Sequence, residues 1–173
     1  AKPLLDPNAS YADKAAYRAK EKGKSLGDKV AHMDAYDAGG LTFEIPNISI
    51  KEIEYAKRAR EEYQKLRREF DLTVRKEFLK DISKDTDKLR ELGFSEFDIQ
   101  KLADGLVPKG YQVHHQLPLD DSGTNSFENL VLIKNDPYHK VVTNYQRHIV
   151  KGMEVGDSKL VDWPFFTANI YPN

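Results

Sequence analysis

Gly110-Tyr-Gln-Val-His-His-Gln-Leu-Pro-Leu119 ends a short apolar run in a histidine doublet, His114 and His115. Asn125-Ser-Phe-Glu-Asn-Leu-Val-Leu-Ile133 and Asp136-Pro-Tyr-His139 follow it. Tyr111 to His114 reads as a short strand, Asp120 to Asn125 as a turn-rich loop, and Leu130 to Ile133 as a second strand. Asp136-Pro137 then opens a helix, with Asp at the cap and Pro at the first position. This order of strand, loop, strand and helix puts the doublet at the exit of one strand and His139 in the first turn of the helix, where folding can bring them to one point. Successive strand residues face opposite sides, so one histidine of the doublet can bind a metal while its neighbour addresses a water. Asn129, just before the second strand, can hydrogen-bond backbone across the loop. A neutral amide suits that task because it donates and accepts without adding charge. Asp120 and Asp121 lie in a turn rich in Gly, Asn and Ser, and read as capping it rather than as a metal pair.

Working outward, residues 1–40 are rich in Ala, Lys, Asp and Gly, with a helix expected from Ser10 to Lys22 and a break at Gly39-Gly40, and read as a peripheral arm. Leu41-Thr-Phe-Glu-Ile45 alternates like a short strand that Pro46 stops. Ser49-Ile-Lys-Glu52 has the form of a capping box, with Ile48 and Ile53 as its hydrophobic staple. A long helix is therefore expected from there to about Ile82, with Ala56, Ala59, Tyr63, Leu66, Phe70, Val74 and Phe78 on its apolar face. Its basic residues, Arg58, Arg60, Arg67, Arg68 and Lys76, read as a solvated face paired with Glu61, Glu62, Glu69 and Glu77; a DNA-facing stripe is the rival reading. Two short helices should follow, Thr86 to Leu92 and Glu96 to Ala103, with Gly93 left-handed between them and Ser95 as a cap. The second offers too few polar or basic side chains for a base-reading helix. The C-terminal run from Leu160 to Tyr171 should pack back over the domain, with Trp163 and Phe165 in the core rather than stacking on bases.

Composition narrows the function classes. With 173 residues the chain can bury about 70% of its unfolded surface in one domain. Charged residues make up 32%, above the usual figure of about 25%, which points to exposed charged helices. The net charge of -1 excludes a whole-surface nucleic-acid binder, so any phosphate contact must be local. The lack of cysteine removes disulfides, thiolate zinc sites and cysteine nucleophiles together. No stretch reaches the roughly 20 apolar residues of a membrane span, and the N-terminus lacks the apolar core of a signal peptide.

Val113-His-His-Gln-Leu-Pro-Leu-Asp120, Asn125 to Ile133 and Asp136-Pro-Tyr-His139 together resemble the HNH nuclease superfamily, also called ββα-metal or His-Me finger, over Lys109 to about Ile149. The nearest likeness is to C-terminal HNH toxin domains of type VI secretion and Rhs interbacterial effectors and to nuclease colicins. The resemblance implies an α+β, predominantly helical fold, in which a long amphipathic helix and short helices pack on a C-terminal ββα-metal motif. It divides the chain into an arm (1–40), a helical region (41–108) and the motif with its tail (109–173), the last two forming one compact domain. It makes His114 and His139 ligands of a divalent cation, His115 the general base and Asn129 the brace of the loop. Colicin-type sites carry a further histidine one turn past the helix ligand, where this chain has Thr143, and neither Asn144 nor His148 falls on the right face. Two imidazoles leave positions for water and substrate, which favours Mg2+ or Mn2+ over Zn2+ or Ni2+. Lys109, Lys134, Lys140 and Arg147 are the expected phosphate contacts. By the same resemblance the chain is an endonuclease acting on DNA as an antibacterial toxin. It would be borne on a larger secretion-system or Rhs carrier, checked by a cognate immunity protein, made in a bacterial cytoplasm, exported without a signal peptide or membrane insertion, and active in the recipient cytoplasm. RNA as substrate, or a non-catalytic nucleic-acid or protein interaction module built on the long helix, are the alternatives.

Overall fold

A computed structural model describes the backbone of residues 30–36 and 42–173, with side chains from Asn47 onward. The expected helix at Ser10 to Lys22 and the break at Gly39-Gly40 lie outside the described residues. In chain order the elements are β1 (Val30–Tyr36), β2 (Thr42–Ala56), α1 (Arg60–Glu69), a π-wound turn (Phe70–Val74), α2 (Arg75–Ile82), α3 (Thr86–Glu91), α4 (Glu96–Ala103), β3 (Tyr111–His115), β4 (Leu130–Lys134), α5 (Lys140–Ile149), β5 (Ser158–Phe166) and β6 (Ile170–Tyr171). They form an α+β fold with two three-stranded sheets, ordered β1-β2-β5 and β3-β4-β6.

The first sheet corrects two expectations. Strand β2 does not stop at Pro46, because β1 and β2 slip register there, Met33 facing Ile45 and Ala31 facing Ile48. This bulge accommodates the proline, which has no N–H to give, and Asn47 takes a left-handed φ of 57° beside it. Nor does a helix begin at Ser49: residues 48–56 pair antiparallel with β5, from Ile48 opposite Phe166 to Ala56 opposite Ser158. The apparent capping box is strand, because a partner more than a hundred residues away supplies the hydrogen bonds and buries Ile48, Ile50 and Tyr55.

The long helix starts instead at Arg60 and ends at Ile82 as expected, α1 and α2 being joined through the π-wound turn. Phe70, Val74 and Phe78 are buried on the anticipated face, with Tyr63 and Leu66 packed at its edge. Of the expected pairs the charged face shows Arg58–Glu62 at 3.8 Å; Arg67 and Arg75 meet Asp71 instead of the glutamates, at 3.4 and 3.5 Å. Exposed pairs of this kind contribute only about 0.3–0.5 kcal/mol each. Between the short helices Gly93 has φ 89°, and the Ser95 hydroxyl accepts from the Asp98 N–H at 3.1 Å.

Strand β4 sits between two cores. Leu130 and Leu132 face Phe70, Phe78, Leu89 and Leu102. Val131 and Ile133 face Ile48, Tyr145, Trp163 and other residues of the first sheet and α5. Trp163 is fully buried, as its core reading required. Because one strand belongs to both cores, they should melt together. Fluorescence of Trp163, the lone tryptophan, reports one core and far-ultraviolet circular dichroism reports the helices of the other. Their urea midpoints should coincide; separate midpoints would show two independent units.

Candidate functional site

Strands β3 and β4 pair antiparallel, His114 opposite Val131 and His115 opposite Leu130. The doublet therefore splits across the hairpin, one imidazole toward each core. The His114 ring meets that of His139 edge-on at 5.0 Å between centroids, with Phe166 at 6.4 Å. His114 is buried and its Nε2 has no hydrogen-bond partner. Burial, reinforced by the neighbouring His139 and His115, pulls its pKa down to about 3. It is thus a neutral imidazole at ordinary pH.

On the other side, His115 lies 4.4 Å from the Phe70 ring, and its Nε2 is 3.1 Å from Asn125 Oδ1. An amide oxygen only accepts, so Nε2 carries the proton and Nδ1 keeps its lone pair. Asn125 is oriented in turn by its own donation to the Leu66 carbonyl at 2.9 Å. Burial pulls the His115 pKa below its usual value; the Asn125 hydrogen bond and Asp71 work against this and Arg67 works with it.

His139 sits at the start of α5. The Gln112 amide nitrogen lies 2.6 Å from its Nδ1 and donates to Asn135 Oδ1 at 2.7 Å. His139 Nε2 is 3.3 Å from the hydroxyl of Thr143, the residue standing one turn further along. With that amide orientation Nδ1 accepts; turning the Gln112 and Asn135 carboxamides over reverses the roles and releases the Nε2 lone pair, so Gln112 sets the tautomer. Burial, then Arg147, lowers the His139 pKa.

Asn129 braces the loop as expected. Its Oδ1 accepts from the Leu117 N–H at 2.8 Å, and its Nδ2 donates to the carbonyls of Leu117 at 2.9 Å and Thr124 at 2.8 Å. Gln116 ties the same loop to the rest of the molecule. Its backbone oxygen accepts from Trp163 Nε1 at 2.8 Å, and its side-chain oxygen accepts from the Phe166 N–H at 2.8 Å. At Gly123 any Cβ would fall 1.8 Å from the Leu117 carbonyl oxygen, so the turn admits only glycine.

His114, His115, Gln112, His139 and Thr143 line a cleft of about 370 Å3 together with Arg67, Tyr55 and Asp121, while Asn125, Asn129 and Gln116 support it from behind. Of the proposed phosphate contacts Arg147 is in its lining; Lys109, Lys134 and Lys140 are exposed outside it. Among the described residues no three His, Asp or Glu side chains gather closely enough to enclose a metal. His114 and His139 remain a pair whose fit to a cation rests on the neutral, unpartnered Nε2 of His114. Gln112, Asn125 and Gln116 were missed from sequence, since uncharged amides in a strand end and a loop carry no spacing signal. Asp121, expected to cap the turn, is buried, and its Oδ1 accepts no hydrogen bond. Burial pushes its carboxyl up to about 7, against the opposing pull of Lys57 Nζ at 3.6 Å.

No family model matches the chain, and no solved structure matches it. It is 48% identical over 128 residues to "Uncharacterized protein YhhZ" of Escherichia coli (strain K12), a match covering 74% of this chain and 32% of that protein. The chain thus spans about a third of that relative's length. No helix among the described residues is long and apolar enough to cross a membrane.

The lowered imidazole pKa values give stability a pH dependence. An unfolded histidine titrates near 6.5, so below that pH the unfolded chain binds protons that folded His114, His115 and His139 refuse, and acid favours unfolding. Their contribution is complete above pH 6.5 and fades as the pH falls toward 3, where His114 itself titrates. Asp121 acts oppositely, holding its proton up to about 7. The urea midpoint should therefore fall between pH 6.5 and 4, and fall more steeply in Asp121→Asn; a flat profile in both would contradict the burial of neutral imidazoles.

Proposed function

We propose that this chain is a metal-dependent HNH-type endonuclease that hydrolyses phosphodiester bonds of DNA and serves as an antibacterial toxin domain. One observation carries the chemistry. His114, neutral and unpartnered at Nε2, lies against His139 on one side of β3, while His115, held by Asn125 with its Nδ1 lone pair free, lies on the other. The split separates a cation-binding role from a proton-accepting one within a single hairpin.

His114 would hold the cation together with His139, whose Nε2 lone pair is released when the Gln112 and Asn135 carboxamides turn over, Mg2+ or Mn2+ in preference to Zn2+ or Ni2+, because two imidazoles leave the other positions to oxygen ligands. Such an ion, when bound, supplies electrostatic stabilisation of charge developing on the phosphate and the leaving oxygen. His115 takes the proton of the attacking water at Nδ1, and its depressed pKa keeps it ready to accept at neutral pH. Asn125 fixes its tautomer, and Asn129 holds the loop between the strands in shape. Arg147 and Arg67, both in the cleft lining, offer local positive charge to phosphate despite the net charge of -1. The ββα-metal resemblance supports the toxin role, the larger carrier, the cognate immunity protein and action in a recipient cytoplasm. That the matched stretch is a third of the relative supports a module of a longer polypeptide.

A plasmid nicking assay with Mg2+ or Mn2+ and a chelator control tests this, run beside digestion of total RNA. His115→Ala should keep metal binding and lose cleavage by about 100- to 10,000-fold, the usual contribution of a general base. His114→Ala and His139→Ala should weaken both. Cleavage that survives His115→Ala removes the assigned base, and digestion of RNA in preference to plasmid moves the substrate to RNA.

A further inference from the structure

Among the described residues, the buried side-chain polar atoms without a hydrogen-bond partner are Tyr55 Oη, His114 Nε2 and Asp121 Oδ1. All three residues line the same cleft. Native structures pair nearly all such atoms, so their concentration at one cavity marks where a polar guest completes them. The metal reading uses His114 and leaves Tyr55 and Asp121 unexplained.

Both are held rigidly. Tyr55 is fully buried near the end of β2, its ring 4.8 Å from that of Trp163. Asp121 is 2% exposed in the loop that follows Pro118, and that loop is clamped to the end of β2. The Arg58 N–H donates to the Asp120 carbonyl at 2.9 Å, and the Arg58 guanidinium donates to the carbonyls of Leu119 at 3.0 Å and Gly123 at 2.8 Å. Lys57 closes the arrangement, its ammonium 3.3 Å from Asp120 Oδ2 and 3.6 Å from Asp121 Oδ1.

The chemistry on offer in the lining of one cleft is a hydroxyl that donates and accepts and a carboxyl oxygen that accepts. An apolar guest would leave the Tyr55 hydroxyl without a hydrogen bond and Asp121 Oδ1 with only the Lys57 ammonium, which two carboxyl groups already share and which therefore has little to offer a phosphate. We infer that Tyr55 and Asp121 form a second subsite of the cleft, which takes an uncharged hydrogen-bond-donating part of the nucleotide beside the scissile phosphate. That part is the N–H-bearing edge of an unpaired base or a sugar hydroxyl. The inference rests on the nuclease reading and makes the two residues determinants of specificity, since a site built to hydrogen-bond a group discriminates against substrates that lack it.

The test is kcat/KM for cleavage of short single-stranded homopolymers of each base, as DNA and as RNA, by the wild type, Tyr55→Phe and Asp121→Leu, which removes the accepting oxygens at similar size, with thermal melting of each protein. The wild type should prefer some members by tenfold or more. Each variant should lower kcat/KM on those by about tenfold, the loss of one hydrogen bond, and bring the preference ratio toward one. A preference that follows the base in both DNA and RNA assigns the base edge, and one that follows the sugar for every base assigns the hydroxyl. Variants that keep the wild-type preference, or that lose all substrates equally with a lowered melting temperature, overturn the subsite while leaving the nuclease reading intact. A wild type that cleaves none of the oligonucleotides and no plasmid overturns the nuclease reading and the subsite with it.

Discussion

Strand β4 is buried on both faces, and the antiparallel pairing of β3 against it dictates where each histidine of the doublet goes. Because side chains alternate along a strand, Leu130 and His115 share one side while Val131 and His114 share the other. A slip of one residue would put apolar side chains where imidazoles belong and turn both faces of β4 toward the wrong core. The register is held by the two cores and by Asn129, whose amide bridges both sides of the intervening loop. The helices and the first sheet serve the site by closing around this hairpin: the long helix brings Phe70 and the Leu66 carbonyl to the His115 side, and α5 brings His139 to the His114 side.

The electrostatics follow from that enclosure. Three imidazoles sit close to the cleft with burial as the first cause of each lowered pKa, and the charged groups acting on them include two arginines as well as Asp71. Neutral rings with directed lone pairs are what both a metal ligand and a proton acceptor need. The overall balance does not set the potential here, because the cleft lining carries its own charges, Arg67 and Arg147 beside the histidines and Asp120 and Asp121 at the end where Lys57 meets them.

Local chemistry made the hairpin, α5, the two short helices and the end of the long helix legible, since turn residues, caps and periodic apolar positions lie within a few residues of what they specify. Asn129 was legible for the same reason. The stretch after Pro46 was not: Ser49 and Glu52 have the spacing of a helix cap, but their backbone is claimed by β5, and no local pattern announces a partner at Ser158 to Phe166. The site was legible in its imidazoles and illegible in its amides. Gln112, Gln116 and Asn125 act only through partners that the tertiary fold supplies, at His139, Phe166 and His115 respectively. Tyr55 and Asp121 belong with them, because their significance lies in buried oxygens that make no hydrogen bond, which no sequence displays.

The most direct test of the central claim is a pH titration of the imidazole nitrogens by nuclear magnetic resonance, with His114 and His115 assigned through single substitutions. The account predicts that His114 stays neutral down to about pH 3 and that His115 carries its proton on Nε2, with its titration displaced below 6.5. Two rings titrating together near 6.5, or His115 protonated on Nδ1, would contradict the split of the doublet between two buried environments.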